Sequence, residues 1–379
     1  MEYGKSMSNS NDFKSVLYVG GFVLPDKNAA AQRVIANARI FEQLGYNVAF
    51  LNYSDEITAP RKTHYFGFEC FEYSRSECTA ASHMGINRVK EILVNRADIS
   101  IVVAYNYPAL AQMKLKKLCE RREITCLGDI TEWYRARDVS IIKRPVKFVD
   151  TFLRMRCFNS HLDGLIVISR YLKNYYAGKV PCVLLPPMVD SAAEKWQSLS
   201  SCGGDTMKLV YAGKPSKTKE RLDVIVGAVQ KASASVPVCL EVVGITKEEY
   251  CRMYGANVPI GNNVVFCGKL PHEEALSKVA SASYSVVMRD DNRVTRAGFP
   301  TKFAESITCG TPVICNDNSD LKLWIDKYKC GFVVEEASLA ESLVAIFKLP
   351  RPSVDTTLFD YRRYAQPMSD FLDEIAESE

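Results

Sequence analysis

Short apolar runs alternate with helical patterns along the chain, and this alternation occurs in both halves. In the first half, 15–19 reads as a strand, 28–44 as a helix and 48–51 as the next strand. The second half begins again with a strand-like run at 208–211, which a helical pattern follows. Strands that alternate with helices predict parallel sheets covered by helices. The chain is therefore expected to have an α/β fold.

The length and composition suit two such sheets. The chain has 379 residues, of which 47% are apolar and 24% are charged. This is a normal globular composition, and the length fits two domains of roughly 180 residues each. Pro186, Pro187 and a stretch rich in Ser and Gly at 190–206 indicate a linker. We expect one domain at 1–187 and a second at 188–358.

The stretch 293–315 combines several features of a ligand site. A strand-like run at 284–288 and a polar loop precede it, Pro300 favours a helix start, and Gly310 favours a helix stop. In α/β proteins, ligands bind where such loops leave the carboxyl edge of a parallel sheet. The free N–H groups at a helix start attract anions, phosphates above all. We therefore expect a phosphate-bearing ligand here.

Two side chains of this helix, Lys302 and Glu305, are expected to share one face. Lys302 lies in the first turn, beside the expected position of a diphosphate. One helical turn is ~5.4 Å, so Glu305 would reach a ribose attached to that diphosphate. Its carboxylate could accept hydrogen bonds from both ribose hydroxyls. The alternative interpretation is a solvated Lys/Glu pair on an ordinary helix.

Two other loops have the composition of phosphate-binding loops. Gly20 and Gly21 end the first strand, where glycines permit close approach of a phosphate but also form ordinary turns. The loop after the strand at 208–211 contains three lysines, whose ammonium groups would neutralise a diphosphate. A solvated lysine loop is the alternative. These lysines are Lys214, Lys217 and Lys219.

Two carboxylates, Asp129 and Glu132, follow the strand-like run at 124–127 and lie next to Trp133 and Tyr134. Carboxylates and aromatic rings at a strand end would form a surface suited to sugars. The alternative is that Asp129 caps a helix.

The segment 135–156 is strongly basic and also apolar. Its cations are Arg135, Arg137, Lys143, Arg144, Lys147, Arg154 and Arg156, interleaved with Ile141, Ile142, Val146, Phe148, Phe152, Leu153 and Met155. Such a segment could lie on an anionic membrane surface or meet a phosphate-bearing acceptor. A solvated surface helix is the competing interpretation.

The sequence GFPTKFAES at 298–306, followed by CGTPVI at 309–314, resembles the donor-site signature of family 4 glycosyltransferases, which have the GT-B fold. The family motif is Glu-x7-Glu. Glu305 matches the second glutamate, whereas Ala297 stands in the place of the first. The resemblance extends to 163–176 and 208–222. Some members that assemble polysaccharides share this Pro-x-Lys-x-x-Glu variant.

The resemblance implies two doubly wound Rossmann-like domains with a cleft between them, and a C-terminal segment, 359–379, that returns to the first domain. It implies transfer of a sugar, with retention, from a UDP- or GDP-linked donor to a glycan or lipid-linked acceptor in cell-surface polysaccharide or glycolipid assembly. Catalytic roles are expected for Asp129, Glu132 and Lys219. Donor binding is expected for Gly20, Gly21, Lys214, Lys217, Gly298, Phe299, Pro300, Thr301, Lys302 and Glu305.

Several other classes of protein are disfavoured. The G-x-G-x-x-G fingerprint of nicotinamide enzymes is absent. Cysteine and histidine lack zinc-like spacing, and Asp290-Asp291 is not an Asp-x-Asp motif, so we expect no metal and no cofactor. A net charge of +4 does not favour nucleic acid. The sequence has neither an 18-residue apolar run nor a signal peptide, so the protein is expected in the cytoplasm. The basic segment 135–156 would attach it peripherally to the inner face of the membrane.

Two alternative functions fit the same sequence features. One is a non-catalytic subunit that binds a sugar nucleotide and supports a partner transferase. The other is a different GT-B enzyme of sugar nucleotides, such as an epimerase.

Overall fold

A computed structural model of the protein describes residues 14–25, 28–78, 85–135, 137, 140–196, 205–255 and 260–377. Over these residues the chain forms two sheets, which helices cover. The α/β fold predicted from the alternation is therefore confirmed. The boundary between 187 and 188 stays a prediction, although the strands of the two sheets lie on either side of it.

The first sheet has the strand order β3-β4-β2-β1-β5-β6-β7-β8 over the described residues. Only the β3–β4 pair in it is antiparallel. Its strands are β1 (Ser15–Gly20), β2 (Asn47–Ser54), β3 (Arg61–Tyr65), β4 (Phe68–Ser74), β5 (Ile99–Tyr105), β6 (Thr125–Ile130), β7 (Gly164–Val167) and β8 (Cys182–Leu184). The accompanying helices are α1 (Ala29–Gln43), α2 (Ile86–Asn95), α3 (Ala109–Glu120), α4 (Arg144–Arg156) and α5 (Arg170–Tyr176).

The second sheet is parallel, with the order β11-β10-β9-β12-β13-β14. Its strands are β9 (Met207–Ala212), β10 (Val238–Val243), β11 (Val264–Gly268), β12 (Tyr284–Val287), β13 (Val313–Cys315) and β14 (Gly331–Val333). The remaining helices are α6 (Leu222–Ala232), α7 (Lys247–Tyr254), α8 (His272–Ala280), α9 (Arg293–Ala297), α10 (Thr301–Thr308), α11 (Leu321–Tyr328), α12 (Leu339–Phe347) and α13 (Ala365–Ala376).

Both faces of the first sheet are buried, because successive side chains of a strand point to opposite faces. On β1, Val16 and Tyr18 pack in one apolar core with residues of α1 and α13. Leu17 and Val19 pack in the other core, with residues of α2, α3 and α5. This two-sided burial explains why the strands read as continuous apolar runs in the sequence.

The chain crosses from one sheet to the other twice, and the two crossing segments pair at Val189. The N–H of Val189 donates to the carbonyl of Phe359 at 2.9 Å, and the carbonyl of Val189 accepts from the N–H of Tyr361 at 3.0 Å. Helix α13 then packs on the first sheet. A Cβ at Gly164 of β7 would lie 2.5 Å from the ring of Phe371, so α13 approaches closely because glycine stands there.

Four elements differ from the sequence-based expectation, which ended the strand near Leu127 and treated 289–298 as a loop. Strand β6 continues to Ile130, so Asp129 lies inside the sheet. Helix α9 forms within the expected loop, because Asn292 accepts hydrogen bonds from the N–H groups of Val294 and Thr295. Strands β3 and β4 form in a stretch that the sequence patterns left unassigned.

Candidate functional site

A cleft lies between the carboxyl ends of the two sheets, and residues from both sheets line it. It contains about 700 Å³ of empty space, including space open to solvent. Residues from the first half of the chain that line the cleft are Ala29, Gln32, Arg33, Tyr105, Thr131, Glu132, Ile168, Pro187, Met188 and Val189. Those from the second half are Lys219, Arg289, Val294, Gly298, Phe299, Thr301, Ala304 and Glu305.

The start of α10 faces this cleft. Pro300 occupies the N-cap position and provides no side-chain cap, so the first turn keeps N–H groups that a ligand could bind. The preceding Gly298 is held by Ser319, whose hydroxyl donates to its carbonyl at 2.6 Å. Gly298, Phe299 and Thr301 line the cleft, whereas Pro300 is buried. Three of the four residues predicted to bind the donor before and at the start of α10 therefore lie together at the cleft.

Glu305 lies one turn further along α10 and also lines the cleft. Its Oε1 is 3.3 Å from Nε2 of His272, the first residue of α8. The Glu305 side chain is 20% exposed, so a ligand in the cleft could reach its carboxylate. His272 was not predicted, because no sequence pattern relates it to Glu305, 33 residues away.

Lys302 does not line the cleft. Its Nζ donates to Glu220 Oε1 at 2.6 Å and to the Tyr211 hydroxyl at 2.9 Å, and Tyr211 donates to Glu220. Burial raises the pKa of the Glu220 carboxyl, but the Lys302 charge and these hydrogen bonds outweigh it and lower that pKa. The charge of Lys302 is therefore already balanced by a half-buried carboxylate.

The three lysines of the second-domain loop differ in position. Lys219 lines the cleft, and its Nζ is 3.3 Å from Oε1 of Glu132 on the opposite wall. Lys214 and Lys217 are exposed and lie outside the residues that line the cleft. The structure thus places Lys219 and Glu132 together across the cleft, and neither Lys214 nor Lys217 with them.

Asp129 is fully buried and does not line the cleft, contrary to the expectation of a catalytic carboxylate. The Nε of Arg33 donates to its Oδ1 at 2.8 Å, and Tyr18 and Asn37 donate to its Oδ2 at 2.5 and 3.1 Å. Burial raises the pKa of this carboxyl, and the charge of Arg33 opposes that rise. Asp129 does not cap a helix either, because it lies inside β6 and the described residues that follow the strand, 131–135, are irregular.

Asp129 contacts the cleft indirectly, through its ion pair with Arg33, which lines the cleft from α1. Besides its ion pair with Asp129, Arg33 donates from Nη1 to the carbonyl of Leu185 at 3.0 Å. The sequence patterns did not single out Arg33. Its placement depends on the pairing of β1 with β5 and of β5 with β6.

Gly20 and Gly21 do not line the cleft. A Cβ at Gly20 would lie 2.9 Å from the Cβ of Tyr105, which does line it. Gly20 therefore allows β1 to pack closely against β5. Gly21 is exposed, and a Cβ there would lie 3.0 Å from a guanidinium nitrogen of Arg75.

Ala297, at the position of the missing first glutamate, is fully buried where the two halves of the chain meet. The hydroxyl of Ser169 donates to its carbonyl at 2.7 Å. Nearby, the N–H of Arg170 donates to Asp320 at 2.8 Å. These contacts attach α5 of the first half to the loops around α9 and α11.

Two sheets covered by helices, with a cleft between the carboxyl ends of their strands, define the class of protein, which has the GT-B fold. Residues 206–349 match the family model of glycosyl transferases group 1. No curated protein matches the sequence.

Solved structures with the same fold include the following three. Sucrose-phosphate synthase from Thermosynechococcus elongatus has a TM-score of 0.71 at 14% identity, over 97% of this chain and 100% of that chain. An α,α-trehalose-phosphate synthase (UDP-forming) from Burkholderia vietnamiensis has a TM-score of 0.66 at 10% identity, over 96% and 100%. Anabaena HepE, in complex with UDP and glucose, has a TM-score of 0.64 at 11% identity, over 95% and 100%. The fold predicted from the resemblance is thus confirmed.

Over the residues that the structure describes, no group of three or more His, Cys, Asp or Glu side chains could hold a metal ion. None of the helices described is both long and apolar enough to cross a bilayer.

Proposed function

We propose that the protein is a glycosyltransferase that moves a sugar from a nucleotide diphosphate sugar to an acceptor hydroxyl with retention of configuration. The observation that supports this most is the cleft itself. The start of α10, Glu305 and Lys219 lie on one wall, within the region that matches glycosyl transferases group 1, and Glu132 faces them. A UDP-linked donor is favoured over a GDP-linked one by analogy with the UDP and UDP-glucose complexes of HepE.

In the proposed reaction, the bond between the anomeric carbon and the diphosphate breaks while the acceptor oxygen bonds to that carbon. The acceptor proton passes to the departing diphosphate, so no protein nucleophile is required. Lys219 and the N–H groups of α10 would stabilise the charge that develops on the diphosphate. Glu132 would orient the acceptor hydroxyl. No metal ion has a role in this proposal.

The test is a binding and turnover experiment with the purified full chain. Calorimetry with UDP, GDP and ADP should show one preferred nucleotide, expected to be UDP. The matching sugar nucleotides should then release nucleoside diphosphate slowly without acceptor and faster with glycan or lipid-linked acceptors. Binding without any turnover would favour a non-catalytic subunit. Interconversion of the sugar nucleotide would favour an epimerase, and absence of nucleotide binding would contradict the proposal.

We further propose that the enzyme works on the cytoplasmic face of a membrane, in the assembly of surface polysaccharide or glycolipid. Helix α4 buries Thr151, Arg154 and Met155 and turns the opposite face to solvent. Large apolar side chains on and before this helix are 45–90% exposed, which is unusual on a soluble surface. They are Ile141, Ile142, Val146, Phe148, Val149 and Phe152.

Cations border this apolar face, which favours an anionic lipid surface as its partner. Lys143, Arg144 and Arg156 are exposed beside it. The same segment begins just after Glu132 and Trp133, so a membrane bound at α4 would lie on the acceptor side of the cleft. That arrangement would suit a lipid-linked acceptor.

Replacing Ile142 and Val146 with serine should abolish most binding to anionic vesicles. The variant removes two side chains that are 90% and 73% exposed, so folding should be unaffected. Co-sedimentation with phosphatidylglycerol vesicles, compared with phosphatidylcholine vesicles, measures the effect. Binding by the wild type should also weaken in 1 M salt, where the Debye length falls to ~3 Å.

The matched control is the double variant Val265→Ser with Leu349→Ser, which removes two half-exposed apolar side chains far from α4 in sequence. It should bind like the wild type. Equal binding to neutral and anionic vesicles, or unchanged binding by the α4 variant, would contradict the proposal. Loss of a dimer in the α4 variant would instead show that a second copy covers this face.

A further inference from the structure

Lys302, one of the cations predicted to bind the donor, has its charge balanced by Glu220 and does not line the cleft. The cleft nevertheless contains a second cation of the same domain. Arg289 follows β12 and lines the cleft, although its side chain is almost completely buried, with 6% exposed. This residue was not singled out in the sequence.

The hydrogen bonds of the Arg289 guanidinium are incomplete. Its Nη1 donates to the carbonyl of Thr295 at 3.0 Å, which fixes the orientation of the group. Its Nε is buried and has no hydrogen-bond acceptor. Among the described residues, no carboxylate lies within ion-pair distance of Arg289. Glu220 and Glu132 attract the guanidinium through space, but burial outweighs this attraction and lowers the pKa of Arg289. A buried cation without a directly paired carboxylate is costly, which suggests that a ligand provides the missing partner.

The position of the guanidinium indicates which part of a ligand it would meet. Its Nη2 lies 4.0 Å from where a Cβ would stand at Gly298, immediately before α10. The guanidinium therefore lies near the start of α10, the helix that carries Glu305 one turn later. Nε and Nη2 lie on the same edge of a guanidinium and can bind two oxygens of one phosphate.

We propose that Arg289 binds the diphosphate of the donor and stabilises it as the leaving group. The assignment rests on the proposed function, since it needs a nucleotide diphosphate in the cleft. Arg289 would hold the diphosphate from the side of β12, while Lys219 and the N–H groups of α10 hold it from the other directions. Because Glu220 balances the charge of Lys302, Arg289 would provide the positive charge that was expected from Lys302.

The experiment compares uridine, UMP, UDP and inorganic pyrophosphate as calorimetric ligands of the wild type, Arg289→Met and Arg289→Lys. Methionine keeps much of the length of the side chain and removes the charge. We expect Arg289→Met to bind UDP about 10- to 100-fold more weakly, with uridine affinity unchanged. Arg289→Lys should recover part of the lost affinity, because it restores the charge without the paired N–H groups. Pyrophosphate binding should follow that of UDP.

The matched control is Arg252→Met, because Arg252 is exposed on α7 of the same half of the chain and lies outside the residues that line the cleft. It should leave UDP affinity unchanged. Unchanged UDP binding in a folded Arg289→Met protein would overturn the assignment. An equal loss of uridine and UDP affinity would also overturn it, since Arg289 would then act only by holding the turn at Thr295.

Pyrophosphate separates this assignment from the proposed function. If the wild type binds pyrophosphate but no nucleoside, and Arg289→Met loses that binding, Arg289 binds diphosphate and the proposed donor is wrong. If the wild type binds UDP and turns over its sugar nucleotide while Arg289→Met is unaffected, the function stands and the role of Arg289 does not. A wild type that binds none of the four ligands would overturn both.

Discussion

Replacement of Glu305 with alanine is expected to weaken binding of the nucleotide donor by about 10- to 100-fold while leaving the protein folded. The carboxylate lies in the cleft one turn from the start of α10, where it would accept hydrogen bonds from ribose hydroxyls. Hydrogen bonds to a charged group contribute ~1.5–3 kcal/mol, which corresponds to that loss of affinity. The side chain is partly exposed, so its removal leaves no large buried cavity.

Calorimetry with uridine and UDP would measure this effect, and Glu274→Ala is the control. Glu274 is exposed on α8, the helix that carries His272, so its removal changes the same net charge without altering the cleft. Both uridine and UDP should bind more weakly to Glu305→Ala, because both contain the ribose. This pattern differs from that expected for Arg289→Met, which should weaken the binding of UDP but not of uridine. Wild-type uridine affinity in a folded Glu305→Ala protein would contradict the ribose assignment.

The fold could be predicted from the sequence largely because both sheets are covered on both faces. Fully buried parallel strands give continuous apolar runs, such as 15–19 and 164–167, that are easy to recognise. The helix from Leu339 to Phe347 was likewise visible from its apolar spacing. Strands β3 and β4 were not found. The sequence of β3, Arg61–Tyr65, is largely polar and its side chains are mostly exposed. An edge strand of this kind lacks the apolar signal on which the prediction depends.

The candidate site was predictable where function depends on the backbone and less so where it depends on side-chain direction. The loop before α10 and the position of Glu305 follow from helix start signals and helical spacing. The direction of Lys302 does not, because it depends on Glu220 and Tyr211, which are 82 and 91 residues away. Arg289 was missed for the same reason. Its neighbours, Thr295 and Gly298, lie close in sequence, but nothing in the pattern shows that its guanidinium turns inward and is buried.

Asp129 illustrates how strand length changes the interpretation of a residue. Ending the strand near Leu127 would place Asp129 in a loop at the cleft, where a catalytic carboxylate or a helix cap is a sensible expectation. The extension of β6 to Ile130 places it in the sheet instead, below the cleft. Its partners come from β1 and α1, at sequence separations of 92–111 residues. Such a network can be recognised only after the strands have been paired.

Asp129→Asn is accordingly expected to destabilise the protein by ~3–5 kcal/mol, the loss seen when one partner of a buried ion pair is removed. Although burial opposes the charge of Asp129 itself, its removal leaves Arg33, which is 3% exposed, without a counter-ion. The measurement is the free energy of unfolding in urea, followed by circular dichroism. Glu132→Gln is the matched control, because its ion pair with Lys219 is about one third exposed and should contribute less than ~1 kcal/mol.

A double-mutant cycle with Arg33→Met would show that the loss arises from the pair. If Asp129 acts by balancing and positioning Arg33, the double variant should lose less stability than the sum of the two single variants. Donor affinity, measured on the folded fraction, should fall in Asp129→Asn only as far as it falls in Arg33→Met, because Asp129 reaches the cleft through Arg33 alone. An Asp129→Asn protein with wild-type stability but greatly reduced transfer would contradict this role and return Asp129 to a direct part in catalysis.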